Sequence, residues 1–308
     1  MPKATRAAFG EAILELGEKY RNVVVVDADL SHSTMTRKFS EKYPTRHFNV
    51  GIAEGNLIGI GAGLSLAGKI PFICSFACFL VNRFEQVRMS VAYNEAPVRL
   101  VGTHVGIGIG EDGYSQMGLE DIALIRTLPN ILIIQPADEI EAKQSVEFLI
   151  NDSRPAYFRL TRQNLDDVNS PNYQFQFGKG VVLHKGRDVA LLATGGVVGN
   201  TVKAAKELAN EGISATVINI HTIKPLDEKL ILEVAATCNR VVTIEDHSVN
   251  GGLGGAVAEL LSERRPTKMK RIGMRTFGES GSPEGLYEKY GFSTAGIKKS
   301  VLEFMKDR

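Results

Sequence analysis

Short runs of apolar, mostly β-branched residues alternate with segments of helical periodicity along the chain, and this alternation limits the possible folds more than any other feature. The run of valines at 23–26 is typical of a strand buried on both faces, as in a parallel sheet. Strands that alternate with helices form sheets covered on both sides. The pattern predicts an α/β fold with two doubly wound, mostly parallel-sheet domains. Predicted strands span 23–26, 70–74, 98–101, 131–134 and 157–160, then 189–193, 215–220, 241–245 and 271–274.

A change of composition separates the two predicted units. Asn, Asp, Pro, Tyr and Gln replace the apolar runs after residue 164, as in a linker or an extended connection. We predict a first domain at 1–166, a linker at 167–182 and a second domain at 183–308. A length of 308 residues is enough for two domains of ordinary size.

Charge and cysteine content limit the partners and the compartment. The net charge of +1 predicts no nucleic-acid and no membrane-surface partner. The cysteines (Cys74, Cys78 and Cys238) are an odd number without a disulfide pattern, which fits a reducing compartment, and no run of about 18 apolar residues is present. We therefore expect a cytoplasmic protein. Scattered histidines and an isolated Cys74–Cys78 pair predict no metal site.

The segment 49–68 is predicted to be a helix that is apolar on nearly every side. Four of its interior positions are glycine (Gly55, Gly59, Gly61 and Gly63), which suggests that something approaches the backbone closely. Its only ionisable residue is Glu54, in the first turn. A buried carboxylate must be paired or have its pKa raised, whereas the alternative is a helix-terminal charge turned to solvent.

Polar clusters follow predicted strands at 27–34, 103–117 and 161–164, and open α/β sheets bind ligands at this edge. We call residues 103–117 the glycine loop. Its glycines lack the G-x-G-x-x-G spacing of a dinucleotide site. A second glycine-rich turn at 250–255 precedes a helix, so it either holds an anion or forms a tight turn.

These clusters carry a resemblance over nearly the full chain. The sequence resembles the C-terminal part of transketolase, a thiamine diphosphate enzyme, and looks like its pyrimidine-binding and C-terminal modules without the diphosphate-binding module. The order and spacing of many segments make the resemblance specific. The matching segments are 4–6, 27–34, 51–54, 76–79, 102–104, 110–121, 161–164, 245–247 and 251–254.

The resemblance implies where the cofactor would lie. Glu54 matches the catalytic glutamate that hydrogen-bonds the aminopyrimidine ring, and its proton exchange would be acid–base work at a shifted pKa. Phe76 and Phe79 match the aromatic pocket around that ring, whereas a third aromatic residue of some members is Asn82 here. Asp29 matches a residue at the cofactor end of the dimer interface.

The resemblance also implies a sugar phosphate site. The residues matched to contacts with the donor hydroxyl groups are His104 and Asp112, and His104 is also expected to be catalytic. Gln116 stands where many members have histidine. His247 is either functional or a structural residue, and no catalytic residue is assigned to the second domain. The residues matched to the phosphate site are Arg6, Ser33 and Arg162.

The function that the resemblance implies is two-carbon ketol transfer from a ketose phosphate to an aldose phosphate. An N-terminal transketolase subunit would be the partner, with thiamine diphosphate between the chains and Mg²⁺ (or Ca²⁺) held mainly by that partner. Two copies of each chain would form an α2β2 heterotetramer. Alternatives are the beta subunit of the first component of a 2-oxo acid dehydrogenase, a deoxyxylulose phosphate synthase-like enzyme, and a non-enzymatic regulatory remnant.

Overall fold

Residues 2–307 are described in the computed structural model, and they form two α/β domains. Met1 and Arg308, the outer bounds of the predicted domains, lie outside these residues. The strands are β1 (Val23–Asp27), β2 (His47–Asn49), β3 (Ile70–Phe76), β4 (Arg99–Thr103), β5 (Leu132–Ile134), β6 (Ala156–Arg159), β7 (Val181–His184), β8 (Val189–Ala193), β9 (Ala215–Asn219), β10 (Thr222–Lys224), β11 (Arg240–Ser248) and β12 (Lys268–Met274).

Helices cover both faces of the two sheets. None of them, within residues 2–307, is both long and apolar enough to cross a membrane. The helices are α1 (Thr5–Lys19), α2 (Arg37–Lys42), α3 (Glu54–Leu66), α4 (Ala77–Val81), α5 (Phe84–Gln86), α6 (Asp121–Arg126), α7 (Glu139–Asn151), α8 (Val198–Ala209), α9 (Glu228–Cys238), α10 (Leu253–Arg264), α11 (Pro283–Tyr290) and α12 (Thr294–Lys306), with a π-helical turn at Val87–Tyr93.

The prediction of two mostly parallel sheets is confirmed. The first sheet has the order β10-β5-β6-β4-β3-β1-β2, and all its neighbours run parallel except β10, which is antiparallel to β5. The second sheet has the order β12-β11-β8-β9-β7, in which only β7 is antiparallel to its neighbour. Both antiparallel strands lie at sheet edges and are too short to give a clear sequence signal.

Strand register brings the predicted site residues to one edge of the first sheet. Asp27, the last residue of β1, is paired with Cys74 of β3. Phe76, the last residue of β3, is paired with Thr103, the last residue of β4. Because these strands run parallel, the segments that follow them meet at the carboxyl edge of the sheet.

The second domain contributes a strand to the first sheet. β10 pairs with β5, and its Ile223 is buried in the apolar core beneath the first sheet. The connection between the domains is also tied down, because the Asp138 carboxylate accepts hydrogen bonds from the backbone N–H groups of Val168 (3.0 Å) and Asn169 (2.8 Å). The two domains are therefore joined by strand pairing as well as by the connecting segment.

The glycine-rich helix differs from its prediction in extent and burial. It begins at Glu54 rather than at residue 49, because His47–Asn49 pairs with β1 as β2. Of the four glycines named in this helix, only Gly61 is closely packed. A Cβ at Gly61 would lie 2.6 Å from Cγ2 of Ile73, whereas a Cβ at Gly59 or Gly63 would have no neighbour within 4 Å. The helix has an open face, formed by Asn56, Gly59, Gly63 and Leu66 together with the preceding Ile52.

Some predicted helical segments are broken or were missed. The sequence after Phe76 and Phe79 predicts one helix through residue 91, whereas the structure has three pieces there: α4, α5 and the π-helical turn. The short helices α2, α6 and α11 were not predicted, since six to eight residues hardly establish a period.

Two glycine substitutions in α3 should have opposite effects on stability. Gly59→Ala should raise the free energy of unfolding of the free chain by up to about 1 kcal/mol, because alanine favours the helix and meets no neighbour. Gly61→Ala should lower it by about 1–3 kcal/mol, because the added methyl group presses on the buried Ile73. Urea denaturation at low protein concentration measures both, and equal effects would contradict the contact with Ile73.

Candidate active site

Glu54 lies at the carboxyl edge of the first sheet, as the first residue of α3. Its side chain is buried, at 7% exposure, and Oε1 accepts a 3.2 Å hydrogen bond from the hydroxyl of Ser75 in β3. The helix N-terminus favours a negative charge at this position. The structure thus places Glu54 inside rather than turned to solvent, and gives it a hydroxyl partner.

An aromatic stack begins at the residue after Ser75. The rings of Phe76 and Phe79 lie 5.3 Å apart at 12°, and Phe76 also stacks on the imidazole of His104 at 3.6 Å and 24°. Phe76 is buried and Phe79 is half-buried, so the stack reaches the surface at Phe79. A planar aromatic ligand could extend such a stack. Asn82, beside it, is exposed.

His104 is held in an unusual backbone conformation at the start of the glycine loop. Its φ is +58°, in the left-handed region that non-glycine residues seldom adopt. Arg6 Nη1 lies 3.0 Å from Nε2, and because a guanidinium only donates, Nε2 must accept. The ring proton therefore lies on Nδ1, which donates to the Thr103 hydroxyl at 2.8 Å.

A continuous hydrogen-bonded chain joins Glu54 to Arg6. The Thr103 hydroxyl lies 3.4 Å from the Ser75 carbonyl oxygen, and the Ser75 hydroxyl donates to Glu54. With the His104 contacts, the order is Glu54, Ser75, Thr103, His104 and Arg6. Two predicted catalytic residues and a predicted phosphate ligand thus belong to one network.

The positive charge of this network is on arginine, not on histidine. Burial, with smaller contributions from Arg6 and Arg162, lowers the pKa of His104 to about 3, so the imidazole is neutral at pH 7. Burial and the nearby Arg162 lower the pKa of Arg6 to about 10, while Asp112 opposes them. The guanidinium of Arg6 stays charged and lies near enough to that of Arg162 for the two charges to repel.

Each of the two arginines is hydrogen-bonded to a loop carbonyl oxygen. Arg6 Nη1 donates to the carbonyl oxygen of Ser33 at 2.7 Å, and Arg162 Nη1 donates to that of Ile109, in the glycine loop, at 2.5 Å. Asp112 is exposed farther along the loop, and Gln116 is half-buried at the end of a 3₁₀ turn.

Asp29 has no hydrogen bond to the other predicted site residues. It is exposed, has a φ of +63°, and exchanges hydrogen bonds with Asn49: its N–H donates to Oδ1 (3.0 Å) and its carboxylate accepts from Nδ2 (3.1 Å). This pair joins the segments that follow β1 and β2.

Sequence reasoning missed a buried carboxylate that shapes the segment carrying Ser33. Asp27 accepts hydrogen bonds from the Leu30 N–H (2.6 Å) and from the hydroxyls of Thr34 (2.6 Å) and Thr36 (3.1 Å). Burial raises the pKa of Asp27. The aspartate followed by two spaced threonines was the available signal, since short polar side chains commonly satisfy loop backbone groups.

The candidate residues of the second domain are enclosed. His247 is fully enclosed, Ser248 O lies 2.7 Å from Nδ1, and burial lowers its pKa to about 4, which favours the structural alternative. At the 250–255 turn, the N–H groups of Leu253 (2.7 Å) and Gly254 (2.8 Å) donate to the Glu245 carboxylate. That carboxylate takes the place of an external anion and favours the tight turn. Within residues 2–307, no group of three or more His, Cys, Asp or Glu side chains is arranged to hold a metal.

Comparison with known families assigns both domains. The family profile described as "Transketolase, pyrimidine binding domain" matches residues 1–167, and "Transketolase, C-terminal domain" matches 178–297. The chain belongs to the transketolase family. It corresponds to the C-terminal section of a transketolase, as the sequence motifs predicted.

Relatives of the same length support this assignment. A "Putative transketolase C-terminal section" of Methanocaldococcus jannaschii is 42% identical, with 99% of this chain and 97% of that protein covered. The "6-deoxy-6-sulfo-D-fructose transketolase subunit SqwH" of Clostridium sp. is 39% identical, with 97% and 93% covered. A solved structure described as "Split gene transketolase, inactive beta4 tetramer" is 42% identical, has a TM-score of 0.91 and covers 98% of both chains.

The transketolase family depends on thiamine diphosphate, and the residues at the sheet edge fit the pyrimidine end of that cofactor. Glu54 offers a buried carboxylate, as hydrogen bonding to a ring nitrogen requires, and Phe79 ends the aromatic stack with a half-buried ring. Both lie beside Ser75 and Phe76 at the end of β3.

The unusual state of His104 can be tested by pH titration. The pKa of His104 is about 3 in the folded chain and 6.5 for an ordinary histidine. Between pH 3 and pH 6.5, His104 is therefore protonated only in the unfolded chain. The His104 contribution should therefore lower the free energy of unfolding as pH falls through that window. NMR of the imidazole carbon-bound protons should show no His104 titration above pH 5.

Two arginine variants separate the charge effect from general effects. Arg6→Gln should raise the His104 pKa, because it removes a repelling charge, whereas Arg37→Gln removes an exposed arginine paired with Glu41 and should leave it unchanged. His104→Asn identifies the signal. A wild-type midpoint near 6.5 would contradict the buried, neutral ring.

Proposed function

We propose that this chain is the C-terminal subunit of a split transketolase that transfers a two-carbon ketol unit from a ketose phosphate to an aldose phosphate. The observation that carries the proposal is the network of contacts from Glu54 to Arg6, which links a buried carboxylate to a charged guanidinium. An N-terminal subunit would supply the diphosphate-binding module and hold most of the contacts to Mg²⁺ (or Ca²⁺).

Glu54, Phe76 and Phe79 would hold the pyrimidine end of the cofactor. Thiamine diphosphate supplies, when bound, the nucleophilic carbon that attacks the ketose carbonyl and accepts the charge left by carbon–carbon cleavage. Glu54 would share a proton between its carboxyl oxygen and the ring nitrogen, while Phe79 stacks on the ring and Phe76 supports Phe79 from behind. Asp29 would lie toward the cofactor end of an interface between subunits.

Two arginines and a serine would bind the phosphorylated end of the sugar. Arg6 and Arg162 can each present a fork of N–H donors to an oxyanion, and Ser33 adds a hydroxyl. His104, neutral and fixed by Thr103, would contact a donor hydroxyl without contributing charge. Asp112 and Gln116, in the glycine loop, would contact the remaining hydroxyl groups.

Reconstitution with the partner tests the role of Glu54. Glu54→Gln should lower kcat of the complex by about 100-fold or more, because an amide cannot exchange a proton with the ring nitrogen. Glu263→Gln changes an exposed glutamate of α10 and should have no effect. Unchanged circular dichroism would show that the fold persists, and an active Glu54→Gln complex would contradict the proposal.

Substrate choice separates ketol transfer from the related reactions. The complex, with thiamine diphosphate and magnesium, should transfer from xylulose 5-phosphate to ribose 5-phosphate, and the chain alone should not. Oxidation of pyruvate with a dye acceptor would instead indicate a 2-oxo acid dehydrogenase component. Condensation of pyruvate with an aldose phosphate would indicate a synthase. Full transfer activity without a partner would refute the split-subunit assignment.

We also propose that two copies of the chain pair through the open face of α3. Ile52 and Leu66 are 84% and 69% exposed there, and Gly59 and Gly63 leave the backbone accessible. Large apolar side chains on one exposed face commonly mark an interaction site.

A bulky residue on this face should weaken pairing. Gly59→Leu should shift the reconstituted complex from α2β2 toward αβ in analytical ultracentrifugation. Ala236→Leu places the same bulk on an exposed position of α9 and should not. An unchanged α2β2 mass for Gly59→Leu would show that pairing uses another surface.

A further inference from the structure

A buried carboxylate of the second domain reaches into the glycine loop of the first. Asp246 lies in β11, and its Oδ1 accepts a 2.8 Å hydrogen bond from the backbone N–H of Ile107. Its Oδ2 lies 3.4 Å from the N–H of Gly108 and accepts a 2.8 Å hydrogen bond from the hydroxyl of Tyr287. One side chain thus joins the two domains at the loop.

The loop glycines are fitted to this contact. A Cβ at Gly106, where φ is +75°, would lie 2.1 Å from Oδ2 of Asp246. A Cβ at Gly108 would lie 1.1 Å from Oε1 of Gln163, whose Nε2 in turn donates to the Tyr287 hydroxyl at 2.5 Å. Any larger residue at either position would push the loop away from the carboxylate.

The anchored segment leads directly to the predicted substrate residues. Ile109, next along the chain, accepts the hydrogen bond from Arg162, and Asp112 follows three residues later. The other end of the loop is fixed to the same β11 residue: Arg159 Nη2 donates to the carbonyl oxygens of Gly118 (2.8 Å) and Asp246 (3.1 Å). The glycine loop is therefore linked to Asp246 at two points: at 107–108 through its carboxylate, and just after the loop through Arg159 and its backbone carbonyl.

We propose that Asp246, supported by Tyr287, is a positioning residue of the active site, through which the second domain sets the glycine loop for the sugar phosphate. The assignment rests on the proposed function and gives the second domain a defined role in it. Asp246 does not touch the reacting atoms. It acts through Ile107 and Gly108 on the placement of Arg162 and Asp112.

The carboxylate is suited to this position because it only accepts hydrogen bonds. Three donors converge on its two oxygens: two backbone N–H groups and a phenol hydroxyl. An amide of the same shape would turn an N–H₂ donor toward one of them. Hydrogen bonds to a buried charged group are worth more than neutral ones, so Asp246→Asn should loosen the loop without creating a cavity.

Glu245→Gln provides a matched control. Glu245 is the preceding residue of the same strand, is equally buried and also accepts two backbone N–H groups, but these belong to Leu253 and Gly254 of its own domain. Both variants replace a buried carboxylate by an amide in β11. Only Asp246→Asn should affect the glycine loop.

Hydrogen exchange followed by mass spectrometry tests the anchor in the full chain. Exchange of peptides covering 106–112 should be about tenfold faster in Asp246→Asn than in wild type, since loss of one charge-assisted hydrogen bond corresponds to about that factor. Glu245→Gln should leave these peptides unchanged. Tyr287→Phe should give an intermediate effect and serves as the milder variant if Asp246→Asn fails to fold. If these peptides exchange no faster in Asp246→Asn than in the Glu245→Gln control, Asp246 does not anchor the loop. If Tyr287→Phe has to replace Asp246→Asn, the same comparison with Glu245→Gln decides.

Kinetics of the reconstituted complex test the consequence for substrate. Asp246→Asn should raise KM for the ketose phosphate about tenfold with a smaller change in kcat, a split that general destabilisation would not produce. An unchanged KM in an active complex would overturn the positioning role. If the wild-type complex transfers no ketol unit, the proposed function fails, while the exchange data still decide whether Asp246 holds the loop.

Discussion

The ion pair between Asp121 and Arg159 is the interaction on which the arrangement of the domains depends. Both side chains are fully buried and their atoms lie 2.7 Å apart. Burying two charges is costly unless further hydrogen bonds satisfy them. Here the Tyr157 hydroxyl donates to Asp121 at 2.7 Å, while Arg159 also reaches the carbonyl oxygens of Gly118 and Asp246. Although burial opposes it, Arg159 keeps the pKa of Asp121 below its usual value. One guanidinium therefore joins β6, α6, the end of the glycine loop and β11.

Further links between the domains, besides this ion pair, make them one scaffold around the site. β10 extends the first sheet, and the Asp138 carboxylate holds the segment that leads into the second domain. Glu141, in the first turn of α7, accepts two 3.0 Å hydrogen bonds from Asn219 of β9, and burial raises its pKa to about 7. Each link uses a buried polar group whose partner lies in the other domain or in the connection. Such groups are costly when unpaired, so separating the domains would expose or strand all of them.

The sequence was informative where a pattern repeats and uninformative where a contact is long-range. Buried β-branched runs predicted the main strands, and the family motifs selected Glu54, Phe76 and His104 at the ends of neighbouring strands. The edge strands β2, β7 and β10 were missed, because three or four residues carry no period and their pairing is set by tertiary contacts. The role of Asp246 could not be read either: it is 138 residues from Gly108, and no local rule connects them. The glycines at 106 and 108 were considered only as part of a dinucleotide-binding loop, so their contact with the second domain was not predicted.

The chemistry of the site follows from how its charges are distributed before any ligand binds. Nη1 of Arg6 donates hydrogen bonds to Ser33 O and to His104 Nε2, and these two bonds fix the guanidinium. Its other nitrogens carry further N–H donors that could bind an oxyanion. Burial and the arginines keep His104 neutral, so its ring adds no charge to the site, and its orientation is set by Thr103. Donors fixed in this way would lose little entropy on binding the proposed phosphate group. The same network ends at Glu54. The contacts that fix Arg6 and His104 therefore also help to fix the carboxylate that is proposed to bind the cofactor.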